Sequence, residues 1–438
     1  MSNNISSLTN LPPTIKKIGL SITVSSPGKV ILHGEHSVVY GKLALAASLG
    51  LRTRLTISEI DNPDSVIVKC FSLDITKTFS LQAIKEHLLE PALCLTSPNE
   101  EFSWENPDII HHESLLKRIE NFLIYNGMSD FNTNQLIALQ SLLYLVSGIL
   151  SSVDIELPSI LLEVNSELNI GAGTGSSASY LVSVSAAFIQ YVKLKRKSGN
   201  ISKTGYKPSF LDNASSNFSK KELDMICNWA YCAEKIVHGT PSGLDNSICT
   251  YGSIVEFRKG LPAKPLGINC LFKLLLINTK VPRETKVIVS NVAKLRDKYP
   301  DLVNNILNAM DDLAFNALQT IKALSELEAS GDKIQDHQAI NIKQCYEQLG
   351  EPFSMNHNLL SALGTPHIKL DEAVTILNQQ GLHGKLTGAG GGGYAIALIP
   401  PGFDEIALDR AIKALVYNGF GVISTELGGE GVRVESIS

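Results

Sequence analysis

"NIGAGTGSSASYLVS", residues 169–183, places three glycines at alternate positions (Gly171, Gly173, Gly175) ahead of two serines and an apolar run. Glycines let backbone N–H groups approach an anion closely, because no side chain intervenes and positive φ carries little penalty. A helix starting behind them adds unpaired N–H groups and the positive end of its dipole. The stretch therefore predicts a phosphate-holding turn between a strand and a helix. No lysine follows the glycines, so it is not a Walker A loop. Ser176 stands where the dinucleotide fingerprint has its third glycine, so it is not that motif either. Taken alone, it also reads as a tight strand–helix turn with a serine N-cap.

Working outward, "SILLEV" (159–164) reads as an apolar strand feeding the loop. Residues Ala178, Leu181, Val182, Ser185, Phe188, Ile189 and Val192 recur at helical spacing over 176–194. Upstream, "LRTRLTIS" (51–58) alternates as a half-buried strand does. The apolar "LIALQSLLYLVSGILSS" (136–152) is interrupted by Gln140, Ser141, Ser147 and Gly148, which favours a buried core helix over a membrane span. The basic, polar stretch 193–217 reads as an exposed insertion whose charges face solvent. A helix resumes after Ser219 and stops at Gly239. Beyond about residue 262 the pattern changes to an apolar strand (271–278), long helical stretches (302–347) and a glycine-rich turn near 390. This gives two domains, 19–262 and 263–438, behind a polar leader, 1–18.

The bulk numbers agree with an ordinary globular chain: 438 residues, 44% hydrophobic and 18% charged. A net charge of −5 with mixed signs makes no electrostatic case for nucleic acid. Seven scattered cysteines without a C-x-x-C pair suggest reduced thiols and a cytoplasmic setting. No secretory signal precedes the strands, and no membrane association is expected.

Three further segments carry chemistry. In "AEKIVHGTPSGLDNSICTYG" (233–252), Glu234 lies late in a helix and Asp245 follows a Pro-Ser-Gly turn. That turn can bring both carboxylates to one site, a sparse set that suits magnesium with substrate phosphates. Singly, each reads more readily as an exposed helix or turn acid. In "SSPGKVILHGEHSVVYG" (25–41), Lys29 follows a Pro-Gly break, and Glu35, His36 and Ser37 cluster beyond it. His33 and His36 lack a third ligand at zinc spacing. "GKLTGAGGGGYAIALIP" (384–400) has five glycines among residues 388–393, which implies close packing against a ligand or another backbone.

Together these segments, with "NTKVPRETK" (278–286), resemble the GHMP kinases, named for galactokinase, homoserine kinase, mevalonate kinase and phosphomevalonate kinase. Within that family they are most similar to the branch whose members phosphorylate mevalonate. The resemblance runs from about residue 22 to about residue 400. It implies an α+β chain of two domains, the first like a ribosomal S5 domain 2 and the second ferredoxin-like, with the active site between them. It implies transfer of the γ-phosphoryl of ATP to the 5-hydroxyl of (R)-mevalonate with Mg2+. Matched by motif, Asp245 is the catalytic base with Lys29 beside it, and Glu234 and Ser177 are the metal ligands. Gly171, Ala172, Gly173, Thr174, Gly175, Ser176, Ser177 and Ala178, with Lys29, hold the nucleotide. Glu35, His36, Thr279, Gly390 and Gly391 lie near mevalonate and the transferred phosphate. A homodimer and inhibition by prenyl diphosphates are also implied. Two positions depart from the family pattern, Thr174 in place of leucine and Asn169 in place of proline. Since the loop works through backbone N–H groups, Thr174 is expected to face away from the phosphates. The alternatives are another small-molecule kinase of the family, or a catalytically silent nucleotide-binding regulator on the same fold.

Overall fold

The computed structural model describes residues 15–89, 107, 112–128, 130–151, 157–197, 217–239, 241–261, 263–267, 271–329 and 336–438. The first part of the chain runs β1 (Lys17–His33), β2 (Ala44–Ile60), β3 (Ser65–Cys70), β4 (Ile75–Ser80), α1 (Leu81–Leu88), α2 (His112–Tyr125), α3 (Thr133–Leu150) and β5 (Ile160–Ser166). It continues through α4 (Ser176–Lys197), α5 (Lys220–His238), α6 (Leu244–Tyr251), β6 (Ile254–Phe257) and β7 (Lys264–Pro265). The second part holds β8 (Phe272–Asn278), α7 (Thr285–Lys298), α8 (Pro300–Ala329), α9 (Asp336–Ala362) and α10 (Ile368–Gln379). After these come β9 (Gly384–Thr387), β10 (Tyr394–Ile399), α11 (Glu405–Tyr417), β11 (Gly421–Leu427) and β12 (Arg433–Ile437).

The long antiparallel hairpin β1–β2 is the axis of the first sheet, and β5, β3 and β4 extend it on the β2 side. Helices α3, α4 and α5 pack over it, in a core built from Ile22, Leu55, Leu142, Leu181, Phe188 and Trp229. α3 is long and apolar enough to cross a membrane, but most of it is buried in this core. In the second sheet the order is β11-β8-β10-β9, all antiparallel. With the last helix before β9, and α11 between β10 and β11, this is the ferredoxin-like β-α-β-β-α-β arrangement, into which α7, α8 and α9 are inserted. The sheets meet where Leu427 of β11 pairs with Leu49 of β2. A shared core, including Leu45, Leu49, Phe272, Leu276 and Phe353, fills the seam.

Three sequence-based boundaries shift. β1 begins at Lys17, which pairs with Ile60, so the strand starts inside the expected 1–18 leader; residues 1–14 lie outside the described residues. α4 runs to Lys197, and Lys193 is fully buried 2.8 Å from Glu222 rather than facing solvent. The physical reason is that residues 181–193 of α4 are all buried, so a basic residue there survives only with a buried partner. The rest of that insertion, 198–216, lies outside the described residues. Finally, a break at 262 does not separate the chain, because β12 returns to pair with β1, Ile22 opposite Ile437 and Ser25 opposite Arg433.

Candidate active site

The glycine loop leads from β5 into α4 as its spacing predicts. Gly173 and Gly175 have φ of 89° and 73°, a region that side chains rarely adopt, and both are tightly covered. A Cβ at 173 would fall 2.0 Å from the Arg283 guanidinium, and one at 175 would fall 2.8 Å from Lys29 Cγ. Behind the loop, the first-turn N–H groups of α4, which begins at Ser176, have no partner within the helix. Thr174 is 1% exposed, and its carbonyl accepts from Lys29 N at 2.8 Å. Thr174 is absent from the lining of the adjoining cavity, and among the described residues its buried Oγ1 has no hydrogen-bond partner.

That cavity has a volume of about 420 Å³. Gly171, Gly173, Gly175, Ser177, Asp245 and Arg283 line one end. The other end is apolar with a few polar groups, among them Leu73, Ile137, Val164, Tyr180, Asn134 and Ser141. A polar, glycine-floored end joined to an apolar one suits a molecule with a phosphate chain and a flat ring.

At the polar end Lys29 Nζ lies 3.0 Å from Asp245 Oδ1. Lys29 comes from β1, where the Pro27–Gly28 break shifts the register. Asp245 lies in the first turn of α6, whose N-cap Gly243 is left-handed. Glu234 projects from the buried face of α5 and is 3% exposed. Burial and the neighbouring Asp245 charge push its carboxyl up to about 8, with Lys29 opposing. Among the described residues its Oε2 is buried with no hydrogen-bond partner, and a carboxylate oxygen so placed has a lone pair to offer a cation. Ser177 Oγ is 3.3 Å from His238 Nε2, whose ring burial keeps it towards the neutral form. Among the described residues no three His, Cys, Asp or Glu side chains gather as a metal cage. The residues present thus fit a hard cation held by one or two side-chain oxygens and completed by phosphates.

The residues expected near the second substrate are distributed differently. His36 has φ 59°, unusual for a side chain with a Cβ, and its Nε2 donates to Ala389 O at 2.8 Å. Glu35 is turned toward β9 and α9. It is buried, with Oε1 paired to Lys385 Nζ and Oε2 accepting from Asn356 Nδ2 at 3.0 Å, so its carboxylate is consumed in holding the loop against β9 and α9. The Thr279 hydroxyl is likewise occupied, donating to Gly393 O at 2.8 Å. Gly390 and Gly391 pack against backbone rather than open space: Gly391 N donates to Thr365 O at 2.7 Å, and a Cβ at 390 would fall 2.3 Å from the same oxygen.

Sequence reasoning missed Arg283, whose guanidinium covers Gly173 and comes within 2.5 Å of a Cβ placed on Gly388. It is buried enough to lower its proton affinity, while the Asp245 charge works the other way. Its signal was a cation just past the end of a strand, in "NTKVPRETK".

Comparison with known proteins adds a family to this geometry. The model of the family "GHMP kinases C terminal" matches residues 337–419. A mevalonate kinase of Bos taurus is 34% identical over 415 residues, covering 95% of each chain. In fold, the chain is similar to the Methanococcus jannaschii mevalonate kinase structure, with TM-score 0.61 and 23% identity over 96% of this chain and 99% of that one. It is also similar to an L. major mevalonate kinase solved in complex with R-mevalonate, with TM-score 0.58 and 19% identity over 95% of this chain and 100% of that one.

Proposed function

The chain belongs to the mevalonate kinase family of GHMP kinases, and on that premise we propose that it transfers the γ-phosphoryl of ATP to the 5-hydroxyl of (R)-mevalonate. The products are 5-phosphomevalonate and ADP, and the reaction serves isoprenoid synthesis. The observation that carries this reading is the Lys29–Asp245 pair at the glycine-floored end of the cavity. It puts a cation and a proton acceptor beside the loop that holds phosphate.

Phosphoryl transfer asks a protein mainly for positioning and for stabilisation of spreading negative charge. The N–H groups of the glycine loop and of the first turn of α4 hold the phosphates. Arg283 bridges that loop to the glycine turn at 388 and adds a second cation over it. Asp245 accepts the hydroxyl proton as the new P–O bond forms, while Lys29 stabilises charge on the attacking oxygen. His36, held by Ala389, borders the alcohol. Glu234 and Ser177 would hold Mg2+, which when bound neutralises the phosphate oxygens; the unpartnered Glu234 oxygen supports this assignment.

A homodimer and inhibition by prenyl diphosphates belong to the same reading, the diphosphate head matching the loop and the tail the apolar end. A cytoplasmic setting accords with the five described cysteines, all buried and none in a disulfide. The test is mevalonate-dependent ADP release, run beside phosphomevalonate and a panel of sugars. Turnover with mevalonate alone is expected; turnover only with another alcohol, or none, overturns the assignment.

A further inference from the structure

Asn169 opens the glycine loop at an exposed position, yet its Nδ2 donates to the Tyr394 hydroxyl at 2.6 Å. Tyr394 starts β10 directly after the glycine turn and is 2% exposed within the shared core. Its hydroxyl also faces Asn278 Nδ2, at 3.5 Å, at the end of β8. A buried tyrosine hydroxyl needs polar partners, and here one of them comes from the loop. Next to this link, a Cβ on Gly393 would fall 3.0 Å from Ala172 O, and Arg283 covers Gly173. The front of the loop therefore rests on the second sheet, whereas its rear is held to the first by the Lys29 N to Thr174 O bond.

We propose that Asn169 and Tyr394 are a positioning pair for phosphoryl transfer: their hydrogen bond sets the glycine loop on the second sheet and so pre-organises its N–H groups for the nucleotide's phosphates. Neither side chain is required to touch the nucleotide. Three glycines in left-handed conformation leave the loop with much freedom to lose on binding. A hydrogen bond at its first residue removes part of that freedom beforehand, which is how pre-organisation strengthens binding. The proposal rests on reading this loop as the phosphate site.

The test uses the full chain as wild type, Asn169→Ala, Tyr394→Phe and the double variant. Binding of Mg·ADP is measured by calorimetry, and KM for ATP and for mevalonate by ADP release. Each single variant is expected to weaken ADP by about five- to tenfold, the size of one lost hydrogen bond. The double variant is expected to be no weaker than the worse single, with KM for mevalonate within about twofold. ADP affinity unchanged in Asn169→Ala, which sits at the surface and keeps the core intact, overturns the pair. So do single effects that multiply in the double, or a mevalonate KM that rises in step with that for ATP. A wild-type chain that binds no ADP overturns the phosphate-site reading itself; one that binds ADP but ignores mevalonate overturns only the substrate, and leaves the pair fully tested.

Discussion

Lys29 and Asp245 meet at 3.0 Å, with the lysine 8% and the aspartate 30% exposed. The cation is thus enclosed by protein while the carboxylate keeps an open side. That asymmetry suits a fixed charge beside a group that must reach a substrate proton. Asp245→Asn keeps the shape and removes the proton acceptor. It is expected to lower kcat by about 10³-fold, within the range for general-base removal, while Mg·ADP binding stays near the wild-type value. Mevalonate-dependent ADP release alongside ADP calorimetry checks this; retained turnover would remove Asp245 from the base role.

Lys385 and Glu35 form a fully buried ion pair that ties the His36 loop to β9. Lys385→Met strands the Glu35 charge and is expected to cost about 3–5 kcal/mol of stability. Adding Glu35→Gln should recover most of that loss, because the stranded charge goes with it. Urea unfolding of the single and double variants measures both; equal losses would show that the stranded charge is not the cause.

Among the described residues the buried Thr174 hydroxyl has no partner. Thr174→Val replaces it with a methyl group of similar size, and an unsatisfied buried hydroxyl costs about 1 kcal/mol or more. The variant is therefore expected to be more stable than the wild type by about 1 kcal/mol. A lower urea midpoint in the variant would mean that the hydroxyl has a partner in solution.

His33 sits wholly inside, edge-on to the Phe353 ring, and neither ring nitrogen has a partner among the described residues. Burial, helped by the Lys385 charge, lowers its imidazole to about 3. An unfolded chain binds that proton below about pH 6.5 and the folded one does not, so stability falls with pH between those values. The contribution is fully present above pH 6.5 and declines by about 1.4 kcal/mol per unit below it. His33→Phe removes this slope. The stability difference between wild type and variant is expected to move by about 2 kcal/mol in the variant's favour from pH 7 to pH 5. Chemical denaturation at the two pH values reads the difference, and a constant gap refutes the assignment.

Much of this site was legible because its chemistry is local. Alternate glycines before a helical run announce the loop between β5 and α4, and the alternation over 51–58 falls within β2. The Pro-Ser-Gly turn before Asp245 leads into α6, whose charge acts on Glu234 as a shared site requires. What escaped depends on distant partners. An acid in a polar loop reads as exposed, and nothing near Glu35 signals that Lys385 and Asn356 close over it. Lys193 looked like part of a solvated basic stretch, because Glu222 lies beyond a segment with no periodicity. Arg283 became visible only once the second sheet brought it over Gly173.

The pairing of β12 with β1 also sets an order of events during synthesis. Ile22 and Val24 lie on a strand whose outer edge stays open until residues 433–437 have emerged from the ribosome. An open strand edge invites pairing with other chains, so the nascent first half is most exposed to aggregation just before the final strand arrives. A fragment ending at the apparent boundary near 262 would carry that open edge permanently.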